Sequence, residues 1–184
     1  MKKYYSPGVG DWSIYPSGAV YMDGAEHVVL DNCTFTQLGG NAVFMFGYNR
    51  FHNISWSEFN HLGDSAVALV GRSHLADATG GDFPSDVTVA HNHIHEIGII
   101  TKQASPFFQT VSCGNTISSN VLYNGPRAGI NFNDGMGGGD LVSKNVIFNM
   151  VRCDCNDSPL SICPQLQGLL PKARTATLTT ETLS

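Results

Sequence analysis

The fold is decided by a stretch that the chain carries twice. Residues 35–47 read FTQLGGNAVFMFG and residues 59–71 read FNHLGDSAVALVG, so Phe, Leu, Gly, Ala, Val and Gly recur at the same places in both. One fixed shift, which carries Phe35 onto Phe59, aligns all of them. Periods of roughly 20–50 residues are typical of repeat architectures, in which each unit buries its apolar surface by stacking on the next. The sequence therefore predicts a solenoid.

The same phase continues in the rest of the repeat. The shift that aligns the two stretches also carries Leu30 onto Ile54, and the equivalent places in later copies hold Val89, Ile117 and Val142. Apolar residues alternate over three or four positions in each copy, which is the period of a strand. A hairpin-based sandwich or propeller would need a turn signal in every copy, but Asn-Gly occurs once in the chain. We predict an all-β, single-stranded right-handed parallel β-helix in which these five residues form one interior column.

Three asparagines recur with the repeat. Asn92, Asn120 and Asn145 follow one another at intervals close to the length of one coil. At an inward-facing corner their amides would donate to and accept from one another and the backbone, as buried polar groups require. Cys33 and Ser57 occupy the same place in the first two coils, so we expect a partial ladder with a structural role.

Breaks in the pattern set the expected boundaries. We predict an irregular lead-in at residues 1–16, a β-helix at 17–152 and an irregular, disordered tail at 153–184, where prolines and threonines replace the apolar pattern. Residues 72–85 and 99–103 interrupt the period and should form loops on one side. Because no capping element is visible, we expect a solenoid truncated at both ends.

Composition narrows the class of protein. The chain has 184 residues, of which 42% are hydrophobic and 14% charged, which suits one domain. The net charge of −5 without a basic stripe argues against a nucleic-acid partner, and no apolar run is long enough for a membrane span. We expect no signal peptide at this N-terminus. The five cysteines lack the paired spacing of a zinc site, which favours free thiols.

The densest polar stretch is residues 125–139, which read GPRAGINFNDGMGGG. Ile130 and Phe132 occupy inward positions, so Asn131 and Asn133 should point out of the same strand, with Asp134 at its end. The glycines allow a sharp turn and a close approach of the backbone to a ligand.

Counting back one coil predicts Phe107 and Gln109 beside those two asparagines, and earlier coils add Phe44 and Phe46, then Ala68 and Val70. Aromatic rings together with amides suit sugars, which present apolar C–H faces and many hydroxyls. The alternative is that the amides only satisfy edge hydrogen bonds and that Phe44 and Phe46 pack under a loop.

Carboxylates decide the class of reaction. Glycoside hydrolysis needs two acids, and Asp134 is the best single candidate. A lyase would instead need a base that removes a proton beside a uronate, together with a cation that offsets the acid group. Arg127 with Asp134 and Asp140 could serve in this way, although no dense acidic calcium cluster is visible. The other candidate acids are Glu96, Asp64, Asp82 and Asp140.

Histidines alternate at His91, His93 and His95. If Asn92 faces the core, these imidazoles lie on one outer side and resemble a metal-binding comb. A turn at the asparagine would swing His91 away, however, so we expect surface histidines and no metal site.

Residues 126–139, together with 93–98 and Lys102-Gln103, resemble the right-handed parallel β-helix proteins of the pectate-lyase-like superfamily. More narrowly, the likeness is to its glycoside hydrolase branch, which includes α-L-fucosidase and xylanase activities, and it covers about residues 4–152. It implies a polysaccharide or oligosaccharide substrate, no cofactor, and secretion of a full-length relative. The residues it implies are Asp134 as catalytic acid or base, Arg127, Asn131 and Asn133 lining the site, and Lys102, Gln103 and Gln109 in the adjoining coil.

The chain departs from this family after residue 152. Relatives typically continue with further acidic elements and coils, whereas residues 153–159 read CDCNDSP. A catalytic pair acts as a unit, so loss of one member removes most of the rate. We therefore expect an incomplete glycoside hydrolase-like copy of reduced activity. The alternatives are a non-catalytic glycan-binding or adhesive solenoid and a calcium-dependent polysaccharide lyase.

Overall fold

The computed structural model describes residues 15–73 and 77–151. These residues form five successive coils built from short strands, all of them paired in parallel. The strand bounds are β1 Gly18–Met22, β2 Ala25–Glu26, β3 Val29–Asp31, β4 Thr34–Leu38, β5 Asn41–Phe46, β6 Asn49–Arg50, β7 Asn53–Ser55, β8 Glu58–Leu62, β9 Val67–Val70, β10 Pro84–Ser85, β11 Thr88–Ala90, β12 His93–His95, β13 Phe107–Thr110, β14 Ser112–Cys113, β15 Thr116–Ser118, β16 Val121–Tyr123, β17 Ile130–Phe132, β18 Gly137–Gly138, β19 Leu141–Ser143 and β20 Val146–Phe148.

Each coil contributes one strand to each of four sheets. Sheet A has the order β1-β5-β9-β13-β17, sheet B β2-β6-β10-β14-β18, sheet C β3-β7-β11-β15-β19 and sheet D β4-β8-β12-β16-β20. This confirms the predicted all-β, right-handed parallel solenoid. Among the described residues no helix could cross a lipid bilayer. The predicted lead-in, the tail and the expected truncation at both ends concern residues almost entirely outside the described ranges.

The predicted interior column is present in sheet C. Leu30 pairs with Ile54, Ile54 with Val89, Val89 with Ile117 and Ile117 with Val142. The three central members are at most 1% exposed. Their burial inside the coils stabilises the solenoid, because each coil covers the apolar edge of the one before it.

Sharp bends separate the strands, and they also stack. At three corners of every coil one residue has a φ between 49° and 72°, and most of these residues are not glycine. The left-handed conformation bends the chain sharply at one residue, at a cost on the order of 1 kcal/mol for a residue with a side chain. The three columns are His27, Phe51, Asp86, Gly114 and Gly139; Asn32, Trp56, His91, Ser119 and Lys144; and Gln37, His61, Glu96, Asn124 and Asn149.

The asparagine ladder is confirmed at the corner between sheets C and D. The backbone N–H of Asn92 donates to Oδ1 of Asn120 at 2.9 Å, and that of Asn120 donates to Oδ1 of Asn145 at 3.0 Å. Ser57 continues the ladder, since its N–H donates to Asn92 Oδ1 and its hydroxyl accepts from the N–H of Cys33. The asparagines thus satisfy the backbone of a buried corner.

Extra residues enter the solenoid only between strands. In sheet C, β3 pairs with β7 through Leu30 and Ile54, which are separated by one regular repeat. In sheet A, β9 pairs with β13 through Val67 and Phe107, so the coil between these two strands is much longer. The additional residues lie between β9 and β10 and between β12 and β13, as the interrupted period predicted. Strand pairing beyond each insertion returns to register.

Candidate functional site

The register of sheet A corrects the predicted outer face. Phe107 pairs with Ile130 and Gln109 with Phe132, so neither lies beside Asn131 or Asn133. Both point into the coil, where Phe107 is 1% and Gln109 4% exposed. The prediction that they share the outer face was wrong by one residue, and strand alternation turned that error into the wrong side of the sheet.

The local spacing of the coil explains the error. Phe107 pairs with Ile130, 23 positions further on, whereas the regular repeat that pairs Phe35 with Phe59 spans 24 positions. The turn 133–136, which contains Asp134, follows β17 and is two residues longer than its counterpart one coil earlier, because Ser112 pairs with Gly137 in sheet B. A count based on one fixed period overlooks both changes.

The outer face of sheet A is apolar and covered. Phe44, Ala68 and Phe108 follow one another in a column and are 1%, 4% and 3% exposed. The Arg72 guanidinium lies 4.3 Å above the centre of the Phe46 ring. Asn131 continues the column beside Phe108 and is also buried. These rings are therefore not an open platform for sugar stacking, which agrees with the alternative that they pack under other groups.

Arg72 itself is held by two carboxylates. Its guanidinium contacts Asp23 at 2.6 Å and Asp82 at 2.9 Å. These contacts keep the pKa of Asp82 below its usual value, with the hydrogen bond from Arg72 as the main cause. Asp82, one of the other candidate acids, thus has a structural partner in Arg72.

A cleft opens where β17 and β18 meet β13 and β14. It has a volume of about 180 Å³ and contains both Asp134 and a second acid, Asp140. The residues that line this cleft are Gln109, Ser112, Phe132, Asp134, Gly135, Gly137, Gly138 and Asp140. Two predicted site residues, Asp134 and Gln109, are therefore brought together here, although from different sides of the sheet.

Asp134 is fixed by hydrogen bonds from its own turn and the preceding coil. Its Oδ1 accepts from the N–H of Met136 at 2.8 Å, and its Oδ2 accepts from the N–H of Val111 at 3.0 Å and from the hydroxyl of Thr110. Short polar side chains commonly stabilise turns in this way. The carboxylate is exposed at the cleft and has a defined orientation.

Asp140 is fixed by a separate network. Its Oδ1 accepts from the N–H of Asn115 at 2.8 Å, and its Oδ2 accepts from the Gln109 amide at 3.0 Å. Gln109 Oε1 in turn accepts from the Asn115 amide at 3.1 Å. Asp140 thus occupies a ladder position at a second corner, between sheets B and C, and presents a carboxylate to the cleft.

Close backbone contact explains one glycine of the stretch. A Cβ on Gly137 would lie 2.1 Å from the carbonyl oxygen of Ser112, so no side chain fits there. The close approach at this position is to the backbone of the preceding coil, and the predicted approach to a ligand stays a prediction.

The remaining predicted site residues lie at the other end of the strand. Arg127 donates a hydrogen bond to Gln103 from the loop before β17, and Lys102 is exposed next to Gln103. Asp134 follows β17, so the strand separates it from Arg127. Asn133 stays beside Asp134, with its N–H bonded to Gln109 O at 2.9 Å. The predicted residues therefore form two groups.

The chain belongs to the family described as right handed beta helix region, whose sequence model matches residues 12–158. The chain is also similar to a pectate trisaccharide-lyase from Thermotoga maritima, with 28% identity over 79 residues. That alignment covers 43% of this chain and 21% of the lyase, so the similarity spans about a fifth of the relative's length. No solved structure gives a significant match.

Proposed function

We propose that this chain is part of a β-helix protein that acts on polysaccharides, and that the cleft between β17 and β18 binds the sugar. The observation that carries the proposal is that Asp134 and Asp140 line the same cleft. The similarity to an enzyme named for a pectate fragment supports a sugar polymer as substrate.

Two carboxylates in one cleft suit glycosidic hydrolysis. One acid protonates the leaving oxygen while the other carboxylate activates water or attacks the sugar directly, at separations of roughly 6.5–9.5 Å or roughly 5 Å respectively. Separate networks hold the two acids here, through Thr110 and Val111 for Asp134 and through Gln109 and Asn115 for Asp140. Such fixed positions favour catalysis, because little reorganisation is needed as charge develops.

Sugar binding in the cleft would combine apolar and polar contacts. Phe132 lines the cleft and is 44% exposed as a residue, so its ring can pack against the C–H face of a sugar. Ser112 on β14 and Gln109 on β13 line the cleft from the preceding coil. In this proposal Gln109 still lies near the substrate, as predicted, although its side chain is on the inward-facing side of sheet A.

A lyase is the second candidate, favoured by the name of the similar protein. It needs a base beside the uronate and a cation that offsets the acid group. Within the described part of the chain, no lysine or arginine lines the cleft. Arg127 lies at the other end of β17. Two carboxylates could still hold calcium, which takes oxygen ligands.

One experiment separates these functions. The chain is incubated with pectate and with a panel of neutral polysaccharides, and reducing ends, unsaturated product and glycan retention on a column are measured. Hydrolysis predicts reducing-end release without unsaturated product, lowered about 10²- to 10⁴-fold in Asp134→Asn and Asp140→Asn. The control is Asp31→Asn, which changes an exposed acid on sheet C.

The other outcomes replace the mechanism or end the proposal. Unsaturated product that disappears with a chelator would establish the lyase. Retention on a glycan without turnover would make the solenoid a binding module. The absence of release, product and retention on every polysaccharide would end the carbohydrate assignment.

A further inference from the structure

Two histidines and a glutamate meet on the outer face of sheet D. His93 pairs with Glu58 on the neighbouring coil, and His95 pairs with Asn60. Strand alternation turns Ile94 into the core, where it is 1% exposed, and therefore places His93 and His95 on the outside together. Glu58, His93 and His95, called the sheet D cluster below, thus come from two successive coils.

The ligand atoms of the sheet D cluster are close enough to share one ion. One nitrogen from each imidazole and one carboxylate oxygen lie within 4.8 Å of one another. His95 Nε2 is 3.4 Å from Glu58 Oε1. A tetrahedral zinc ion with bonds of roughly 2.0–2.2 Å needs ligand atoms slightly more than about 3 Å apart, so small side-chain rotations bring all three into range.

Neighbouring groups orient these side chains. The Asn60 amide donates to Glu58 Oε1 at 2.9 Å, and the hydroxyl of Thr36 donates to Asn60 Oδ1. The His95 ring stacks on Tyr123 with 4.9 Å between centres and an angle of 1° between planes. Hydrogen-bonded partners of this kind fix the ligands of metal sites and are part of their affinity.

The charge state suits a cation. Hydrogen bonds from His95 and Asn60 hold the pKa of Glu58 below its usual value. The carboxylate is therefore negatively charged near neutral pH and attracts a cation.

The set of donors selects the class of metal. Two imidazoles and one carboxylate are the ligands of zinc and of other divalent first-row transition metals, whereas calcium and magnesium prefer oxygen alone. The side chain of His95 is 15% exposed and that of Glu58 46%, so an ion can reach the cluster and keep at least one solvent ligand.

We propose that Glu58, His93 and His95 bind one divalent transition-metal ion, zinc in the first place, which joins two successive coils of the solenoid. This site is separate from the cleft at Asp134 and Asp140, and the proposal does not depend on the function assigned to that cleft.

The sequence analysis favoured surface histidines over a metal-binding comb of all three. His91 has a φ of 58° at the corner and stacks on Trp56 with 4.4 Å between ring centres, so it lies apart from the other two, as predicted. Glu58 takes the third place. It lies one full coil before His93, across the insertion at 72–85, so the sequence pattern alone did not identify it.

The test uses the full chain without a histidine tag and titrates it with zinc sulfate against a chromophoric chelator. The expected result is one equivalent of bound zinc and a raised Tm, because an ion that binds the folded state stabilises it. Glu58→Gln and His93→Ala should each weaken binding by at least about tenfold, and Asn60→Ala by about tenfold. His91→Ala, a histidine of the same segment outside the cluster, should leave the affinity unchanged.

Cobalt(II) supplies an independent readout of the ligands. Bound cobalt should show visible d–d bands without a thiolate charge-transfer band, and Glu58→Gln should remove them while circular dichroism stays unchanged. Because Glu58 is exposed and glutamine has nearly its shape, this variant tests the site without loss of the fold. The proposal is overturned by the absence of zinc binding, by affinity that Glu58→Gln and His93→Ala leave intact, by equal loss in His91→Ala, or by a thiolate band that assigns the metal to cysteine.

Discussion

Asn120 accepts two hydrogen bonds from Asn92 across one coil of the solenoid, from its backbone N–H at 2.9 Å and from its side-chain amide at 3.1 Å. Asn120 also donates to the carbonyl of Val89 at 2.9 Å and to Asn145 Oδ1 at 3.0 Å. One side chain therefore satisfies polar groups of two other coils. This relationship makes the ladder the polar counterpart of the apolar interior column.

Substitution of Asn120 should be costly. Asn120→Ala leaves several buried donors and acceptors unpaired at a side chain that is 1% exposed, so we expect the free energy of unfolding to fall by about 2–4 kcal/mol. Urea unfolding measures this change. Asn133→Ala, which changes a half-buried asparagine outside the ladder, should cost no more than about 0.5 kcal/mol. Equal losses in the two variants would contradict a special role for the ladder.

The repeat supplies a matched pair of glycines. A Cβ on Gly63 would lie 2.3 Å from the carbonyl oxygen of Gly39, whereas a Cβ on Gly39 meets nothing within 4 Å. We expect Gly63→Ala to lower the free energy of unfolding by about 2 kcal/mol or more, because the clash is with backbone. Gly39→Ala should be neutral or stabilise by up to about 1 kcal/mol through the unfolded state. Thermal unfolding of both variants checks this, and a tolerated Gly63→Ala would show that the coils are not in close contact there.

His52 should make stability depend on pH. Its side chain is buried, and its Nδ1 accepts from the N–H of Val28 at 3.0 Å, which requires the neutral imidazole. Burial is the main cause that lowers the pKa of His52 below its usual value. The unfolded chain therefore binds more protons below about pH 6.5, and stability should fall as the pH drops through this region and level off below the folded pKa.

His52→Asn tests this dependence. Asn115 occupies the same corner two coils further on and accepts from the N–H of Val87 in the same way, so asparagine can replace the acceptor without a titratable group. Urea unfolding at about pH 8 and about pH 5 should show a smaller difference for the variant than for the original chain. His91→Ala, at an exposed histidine, should leave that difference unchanged. An identical pH response in His52→Asn would exclude His52 as the source.

The network behind the cleft can be tested by a charge exchange. In the original chain the Gln109 amide donates to Asp140 Oδ2. Asp140→Asn places an amide donor there instead of an acceptor, so the free energy of unfolding should fall by about 1–2 kcal/mol. Gln109→Glu alone places two carboxylates together and should cost more. The double variant with Asp140→Asn and Gln109→Glu again pairs an amide donor with a carboxylate acceptor. In a double-mutant cycle measured by urea unfolding, it should therefore recover much of the lost free energy of unfolding. Additive losses would mean that the two side chains do not interact.

The repeat allowed most of the fold to be predicted from the sequence. The paired residues Phe35 and Phe59 stack their rings 4.8 Å apart, and Val43 pairs with Val67, both as the repeated stretch requires. These positions are predictable because the inward residues of these two columns are apolar in successive coils. Likewise Asn92 and Asn120 recur because each corner must satisfy the same backbone groups.

The site was less predictable, since it lies where the period changes. Phe107 and Ile130 are one residue closer in sequence than the regular repeat requires, and the count therefore predicted the wrong side of the sheet for Phe107. The turn with Asp134 is in turn longer than its counterpart one coil earlier. The sequence did not single out Asp140 among the candidate acids, because its contact with Gln109 joins residues 31 positions apart. The sheet D cluster is hidden for the same reason, since Glu58 and His93 become neighbours only after a long insertion.

The corners between sheets absorb added residues while the strands on either side keep their pairing. A loop can therefore lengthen at one level of the spiral while the strands beyond it keep their pairing, because strand pairing and the corner ladders hold neighbouring levels in register. The architecture is in this sense a frame with many attachment points. Recognition of a new ligand can evolve, or be engineered, at the bend after β17 while the strand pairing of the frame is kept.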